Sequence, residues 1–415
     1  MGNGAEHWTR QAVHRRRFLQ LAALFSTSAG LSAIASSCDL GSGGPRQWSR
    51  PGDRVRLGYL PITDASALLA AYHKGFLAAE GLEVDPPVQY PSWAAIAAGL
   101  QAGEVNVVHL LMPAALWLRY GEQFPGKVIA WNHTNGSALT VAPSINRLED
   151  LAGRTVAIPF WYSLHNLILQ MLLRDRGLRP IPANPDPAAG VPADAVALRL
   201  MPPPEMFAAL ANGAIAGYIV AEPYNAAAES FRVGKVLRLL GDVWRDHGCC
   251  VVVVPETRAI AHRDWTQALV NGLVKAQQWC RSNRLELAHL LSSDGGQYMP
   301  YAQGVLERVL AQYDTVSYRQ QGTLVHPEWR SRRIDFQPYP FPSYTEALVA
   351  QLQQTLLGDR DRPNGQPPFM DRLRPRQVAE TLVDASFVRS ALPLVGGPQA
   401  FGLPLNLTRS EVIEP

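Results

Sequence analysis

Along this chain the spacing of apolar residues switches repeatedly between two periods. Residues 55–60 form a short apolar run of strand character that exits through Pro61, Ile62, Thr63 and Asp64. Residues 65–80 then carry apolar positions at helical intervals and stop at Gly81, a residue suited to ending a helix. Strand character returns within 82–90, a second helix opens at Ser92 and Trp93 and runs to Gly103, and 105–108 is again a strand. The alternation restarts further on, with strands predicted over 154–158, 195–200 and 217–220 and helices over 164–175 and 204–212. Two such units predict an α/β protein of two lobes, each a mostly parallel sheet flanked by crossover helices. Between the units, and after the second, lie the extended apolar runs 137–142 and 249–254. We read these as the two strands that cross between the lobes, which places Ser137 and Cys250 at the hinge, facing the cleft. Beyond residue 264 the pattern is helical over 264–282 and 344–357.

Ligands of such sheets bind beyond the carboxyl ends of the strands, where Thr63, Asp64, Trp93 and His109 fall. The stretch 154–174 adds the densest candidate chemistry. Between its strand and its helix stand Phe160, Trp161, Tyr162, Ser163 and His165, at a helix start whose first N–H groups lack partners. Ser163 can equally act only as a helix cap with the aromatics as core, and the pattern alone leaves both readings open.

The amino-terminal segment has a different character. Arg15, Arg16 and Arg17 with Phe18 and Leu19 resemble a twin-arginine export signal, and the apolar run that follows is too short to span a bilayer. Ala35-Ser36-Ser37-Cys38 resembles a lipoprotein cleavage site with Cys38 as the acylated residue. The expected organisation is a signal peptide over 1–37, a lipid-anchored flexible tether over 38–53, a first lobe from 54–140 and 249–415, and a second lobe over 141–248. The globular part is then exported and held at the outer face of the cytoplasmic membrane or in the periplasm. Four arginines against one glutamate give the leader +3, which is also the charge of the whole chain, so the remainder is formally neutral. That excludes a polyanion partner such as nucleic acid. Beyond Cys38 the cysteines are Cys249, Cys250 and Cys280, an odd number without zinc-finger spacing, so neither a disulfide framework nor a bound metal is expected. His109 and His133 are read as structural, and no Gly-x-Ser-x-Gly, Walker or His-Glu-x-x-His motif is present.

Six segments in register carry a family resemblance: 58–64 (GYLPITD), Lys74-Gly75-Phe76, 92–96 (SWAAI), 202–206 (PPPEM), 221–226 (AEPYNA) and 244–247 (WRDH). They resemble the solute-binding proteins of nitrate and bicarbonate ABC importers, and the wider sulfonate and thiamine-pyrimidine binding group. The resemblance implies a two-lobed type II periplasmic-binding fold, not an enzyme, that closes on a small-molecule ligand without a cofactor. Its expected partner is an ABC transporter permease, to which it delivers as a monomer. Carried over, the family's cleft contacts fall on Thr63, Trp93 and His165, with Glu222 and Asn225 at the edge of the second lobe. Trp161, Tyr162 and Ser163 join them as lining. Two departures redirect the ligand. Ser137 stands where the nitrate binders have a glutamine, and Cys250 where they have the lysine that pairs with the anion. A buried anion without its cation costs several kcal/mol, so a planar heteroaromatic or sulfonate-type solute is expected rather than nitrate. The alternatives are an enzyme like the thiamine-pyrimidine synthases, using His247, Cys249 and Cys250, and a ligand sensor without a transport role.

Overall fold

The computed structural model describes residues 54–415 except 187, 188, 360 and 363. The strands, in chain order, are β1 (Leu57–Tyr59), β2 (Val88–Gln89), β3 (Val107–Leu111), β4 (Gly126–Trp131), β5 (Thr134–Asn135), β6 (Ser137–Val141), β7 (Arg154–Ile158), β8 (Arg179–Pro182), β9 (Ala195–Leu200), β10 (Gly217–Ala221), β11 (Lys235–Leu239), β12 (Cys250–Pro255) and β13 (Ile334–Asp335). They assemble into a five-stranded sheet of order β2-β1-β3-β12-β4 and a six-stranded sheet of order β11-β6-β10-β7-β9-β8, with β13 and β5 as a separate pair. The two periodic units of the sequence thus become the two expected α/β lobes.

Within each sheet the βα succession gives parallel neighbours, as in β2‖β1‖β3 and β10‖β7‖β9‖β8. The two runs read as crossing strands behave differently. β6 lies wholly in the second sheet, antiparallel to β10 and β11, and β12 wholly in the first, antiparallel to β3 and β4. The crossings are the segments just before them, 132–136 and 240–249. Each return strand enters its sheet from the far lobe, which reverses its direction. Both strands are buried along their length, so their apolar runs reflect cover on both faces.

Helix ends follow local chemistry. Ser92 caps the helix Trp93–Ala102 by accepting the Ala95 N–H at 3.2 Å, and Gly103 ends it at φ +75°. The stretch expected as one helix over 65–80 is two, Ser66–His73 and Phe76–Ala79, because Gly75 takes φ +74° between them. The long helix Arg263–Ser282 packs across both pieces.

The carboxyl-terminal region is attached to both lobes. Tyr344, in the helix Pro342–Leu352, meets Trp131 edge-on at 5.0 Å and donates to the Gly248 carbonyl, which fixes it to the first lobe and to the second crossing. On the other side Thr323 donates to the Val236 carbonyl at 2.9 Å. The buried Gln170 side chain holds Leu356 at both its carbonyl and its N–H, each at 2.9 Å. No helix among the described residues is long and apolar enough to cross a membrane.

Candidate functional site

The carboxyl end of β1 turns through Thr63, Asp64 and Ala65, all buried, directly against the second lobe. The Thr63 N–H donates to the Glu222 carbonyl at 2.8 Å and its hydroxyl to the same oxygen at 3.2 Å, so the lobes touch through main chain here. The turn sets Asp64 inward, with its own carbonyl taking a bond from the Asn132 amide of the first crossing. Around its fully buried carboxylate gather groups from the two crossings. His133 Nε2 lies 3.2 Å from Asp64 Oδ2, Cys250 Sγ also lies at 3.2 Å, and Cys249 Sγ at 3.8 Å. Asp64 Oδ1 has no protein partner.

Second-lobe residues complete the neighbourhood. Ser137 Oγ, at the start of β6, is 2.9 Å from His165 Nε2 and 3.9 Å from Cys249 Sγ. His165 Nδ1 is buried without a partner. On the first lobe Trp93 tilts against His109, ring centroids 5.4 Å apart, and both the Trp93 indole nitrogen and His109 Nδ1 are buried and unpartnered. His109 Nε2 accepts the Leu60 N–H at 2.8 Å, so its free nitrogen carries the proton as a donor.

Charge in this group is set by burial and by Asp64. Burial opposes the Asp64 charge, but His133 beside it wins and holds the carboxyl below its usual range. Burial would also strip His133, yet Asp64 keeps its proton well above the usual histidine range. His109 and His165 have no such contact, and burial lowers them to about 3 and about 4. Burial likewise lowers His247 to about 3. The Cys249 thiol is lowered, first by its bond with Cys250, whereas burial raises Cys250.

A pH dependence of stability follows. Between pH 6.5 and about 3 an unfolded chain binds a proton that His109 in the fold refuses, so stability is full above pH 6.5 and is lost as pH falls. At pH 5 the loss from His109 alone is expected to be on the order of 2 kcal/mol. Urea unfolding at pH 7 and pH 5 measures it, and His109→Gln, which keeps an acceptor for Leu60, should flatten the difference by about that amount. An unchanged slope in the variant would rule the account out.

The structure brings Thr63, Trp93, Ser137, His165 and Cys250 to this region and gives the other expected residues different surroundings. Ser163 caps the helix Leu164–Asp175, accepting the Asn166 N–H at 3.0 Å while donating to the Phe160 carbonyl at 2.7 Å. Tyr162 stacks on Trp117 at 5.5 Å and meets Phe369, in an aromatic cluster that also holds Phe160. The half-buried Trp161 packs its indole against Gly358, where any Cβ would lie within 2.4 Å of Nε1. Glu222 spends its carboxylate on Arg333 and on the Ala226 N–H, and Asn225 bonds Thr140 and the Val220 carbonyl. Burial raises the Glu222 pKa even against Arg333.

Three members of this group were not named as site residues from the sequence. His133 and His109, read as structural, stand at the centre. Cys249, not among the residues expected at the cleft, shares the side of Cys250, because the pair sits where the crossing enters β12 and strand alternation has not begun. The metal-free expectation rested on cysteine spacing, yet Asp64, His133, Cys249 and Cys250 bring four donor atoms within 4.8 Å of one another. Position at the carboxyl ends of β1 and β3 was the available signal for Asp64 and His109; His133 carried none. The partners of Cys250 are Asp64, Cys249 and the His133 ring.

Comparison with known proteins gives a consistent result. A family model described as the NMT1-like family matches residues 49–292. The nitrate/nitrite binding protein NrtA of Nostoc is 26% identical over 70% of this chain and 68% of its own length. The bicarbonate transport ATP-binding protein CmpC of Synechocystis is 31% identical over 83% of this chain, which spans only 52% of that longer protein. The crystal structure of the periplasmic nitrate-binding protein NrtA from Synechocystis superposes with a TM-score of 0.67 over 87% of this chain and 93% of that one, at 17% identity. At that identity the likeness speaks for the two-lobed fold alone.

Proposed function

The chain belongs to the NMT1-like family, and from that premise we propose that it is the substrate-binding component of an ABC importer, taking a small solute between its lobes and passing it, unchanged, to a membrane permease. The names of its relatives, a nitrate/nitrite binding protein and a bicarbonate transport protein, support the transport role. We read it as an exported, lipid-anchored monomer; the export signal and Cys38 lie outside the described residues.

The solute we propose is a planar heteroaromatic one. A buried carboxylate, Asp64, faces the region where the lobes meet, and its recorded neighbours are histidines and thiols rather than lysine or arginine. A nitrate or sulfonate placed there would meet a carboxylate whose neighbouring imidazolium, His133, is already paired with it, so no cation is left for the anion, an arrangement that is strongly unfavourable at low dielectric. A heterocycle with ring nitrogens instead finds acceptors and donors in Asp64 Oδ1, Trp93 Nε1, His109 Nδ1 and His165 Nδ1, all buried and without protein partners. Trp93 supplies the flat wall.

Native mass spectrometry of protein purified without refolding, followed by a thermal-shift panel, tests the reading. Pyrimidines or flavins at about 100 times Kd should stabilise by about 2.7 kcal/mol, with nitrate, bicarbonate and alkanesulfonates inert. Stabilisation by nitrate or bicarbonate while heterocycles do nothing would overturn the solute class.

A further inference from the structure

Cys249 and Cys250 have no role in holding a heterocycle, and neither does His133, yet all three converge on one oxygen of Asp64. We propose that Asp64 Oδ2, His133 Nε2, Cys249 Sγ and Cys250 Sγ form a binding centre for one thiophilic divalent cation of the zinc class, seated where the two interlobe crossings meet the first sheet.

Geometry carries this. Zinc bound at about 2.0–2.3 Å by nitrogen, oxygen and sulfur requires tetrahedral donor separations of about 3.3–3.8 Å. The recorded separations from Oδ2 are 3.2 Å to Nε2, 3.2 Å to Cys250 Sγ and 3.8 Å to Cys249 Sγ, and all four donors lie within 4.8 Å of one another. A contraction of up to about 1 Å in the longest separation closes the set. The donor types suit the ion: two thiolates, an imidazole and a carboxylate, none exposed to water.

The bonding around His133 points the same way. Its Nε2 accepts the Cys250 N–H at 3.2 Å, which needs a lone pair, while facing Oδ2 at the same distance, which needs a proton or a cation between two electron-rich atoms. One nitrogen cannot accept and donate at once. An ion among the four donors would take the Nε2 lone pair in place of the Cys250 N–H and stand between it and Oδ2. Arg333, a buried cation linked to this end of the first sheet through Glu222 and Thr63, is already engaged by Glu222 and Glu229.

The four ligands come from the first sheet and the crossings, 64, 133 and 249–250, so the centre does not need the second lobe to close on it. Four protein ligands describe a closed, resident site rather than an open catalytic one. The Asp64 Oδ1 atom remains for the solute, and the proposal is independent of which solute that is.

The test titrates zinc into the reduced chain after dialysis against a weak chelator, with metal content read by mass spectrometry. One equivalent retained per chain, and a concentration-dependent rise in Tm, are expected. Cobalt(II) added to the unaltered protein should give intense thiolate-to-cobalt absorption, a readout that needs no variant. Cys250→Ser and His133→Gln should each weaken binding at least tenfold, with circular dichroism confirming the fold. No stoichiometric uptake, cobalt binding without thiolate bands, or retention of full affinity in both folded variants would each overturn the centre.

Discussion

Replacing Arg333 by methionine is expected to destabilise the protein by about 3–5 kcal/mol, because it leaves a carboxylate buried without its cation. Arg333 is buried and bonds Glu222 through Nε at 2.7 Å and Nη2 at 2.6 Å, with Glu229 at 3.3 Å and Tyr318 alongside. Glu222 is equally buried and its main chain is the contact point for Thr63. Removing the cation therefore disturbs the seam between the lobes as well as the fold. Urea denaturation gives the magnitude, and adding Glu222→Gln to the variant should recover part of the loss, since the unpaired charge goes with it. A loss below about 1 kcal/mol would show that Glu222 escapes by taking a proton, a course that burial already favours.

Trp131→Ala should cost a comparable amount, about 3–5 kcal/mol, by the usual penalty for emptying a large buried aromatic site. The indole is fully buried, meets Phe341 at 5.7 Å and Tyr344 at 5.0 Å edge-on, and lies under the Arg409 guanidinium at 5.0 Å. Its other face presses on Gly248, where a Cβ would approach ring atoms to 2.4 Å. Trp131 thus seats the second crossing one residue before Cys249. The variant should lose stability in thermal unfolding and also bind zinc more weakly, since both cysteines ride on that seat. Retained wild-type metal affinity in a folded Trp131→Ala protein would separate the two effects and disprove the positioning role.

Much of the architecture was legible because periodicity reports burial. β7, β9 and the helix Leu164–Asp175 appear at the bounds the sequence predicts, each flanked by a cap or a turn that fixes its end. The helix Met112–Tyr120 was missed, although Pro113 in its first turn is a helix-start signal. The direction of β6 and β12 was also hidden: apolar runs show cover on both faces but not which neighbour a strand joins. At the site, residues on matched motifs were named and Ser137, His165 and Cys250 came together with Thr63 and Trp93. What eluded the reading was convergence across long separations. Asp64, His133 and Cys249 are ordinary in their own segments, and only the two crossings returning to one end of the first sheet make them neighbours. Arg333 escaped for the same reason, being more than a hundred residues from the glutamate it serves.

Gln170 bonds Leu356 as one peptide group bonds another, through its side-chain carbonyl and amide together. The helix before Leu356 is fastened to the first lobe through Tyr344, whereas Gln170 belongs to the second. Swinging the lobes apart must strain this tie in addition to the two crossings. How long a solute stays captured between the lobes would then depend on a glutamine that lies outside the group around Asp64.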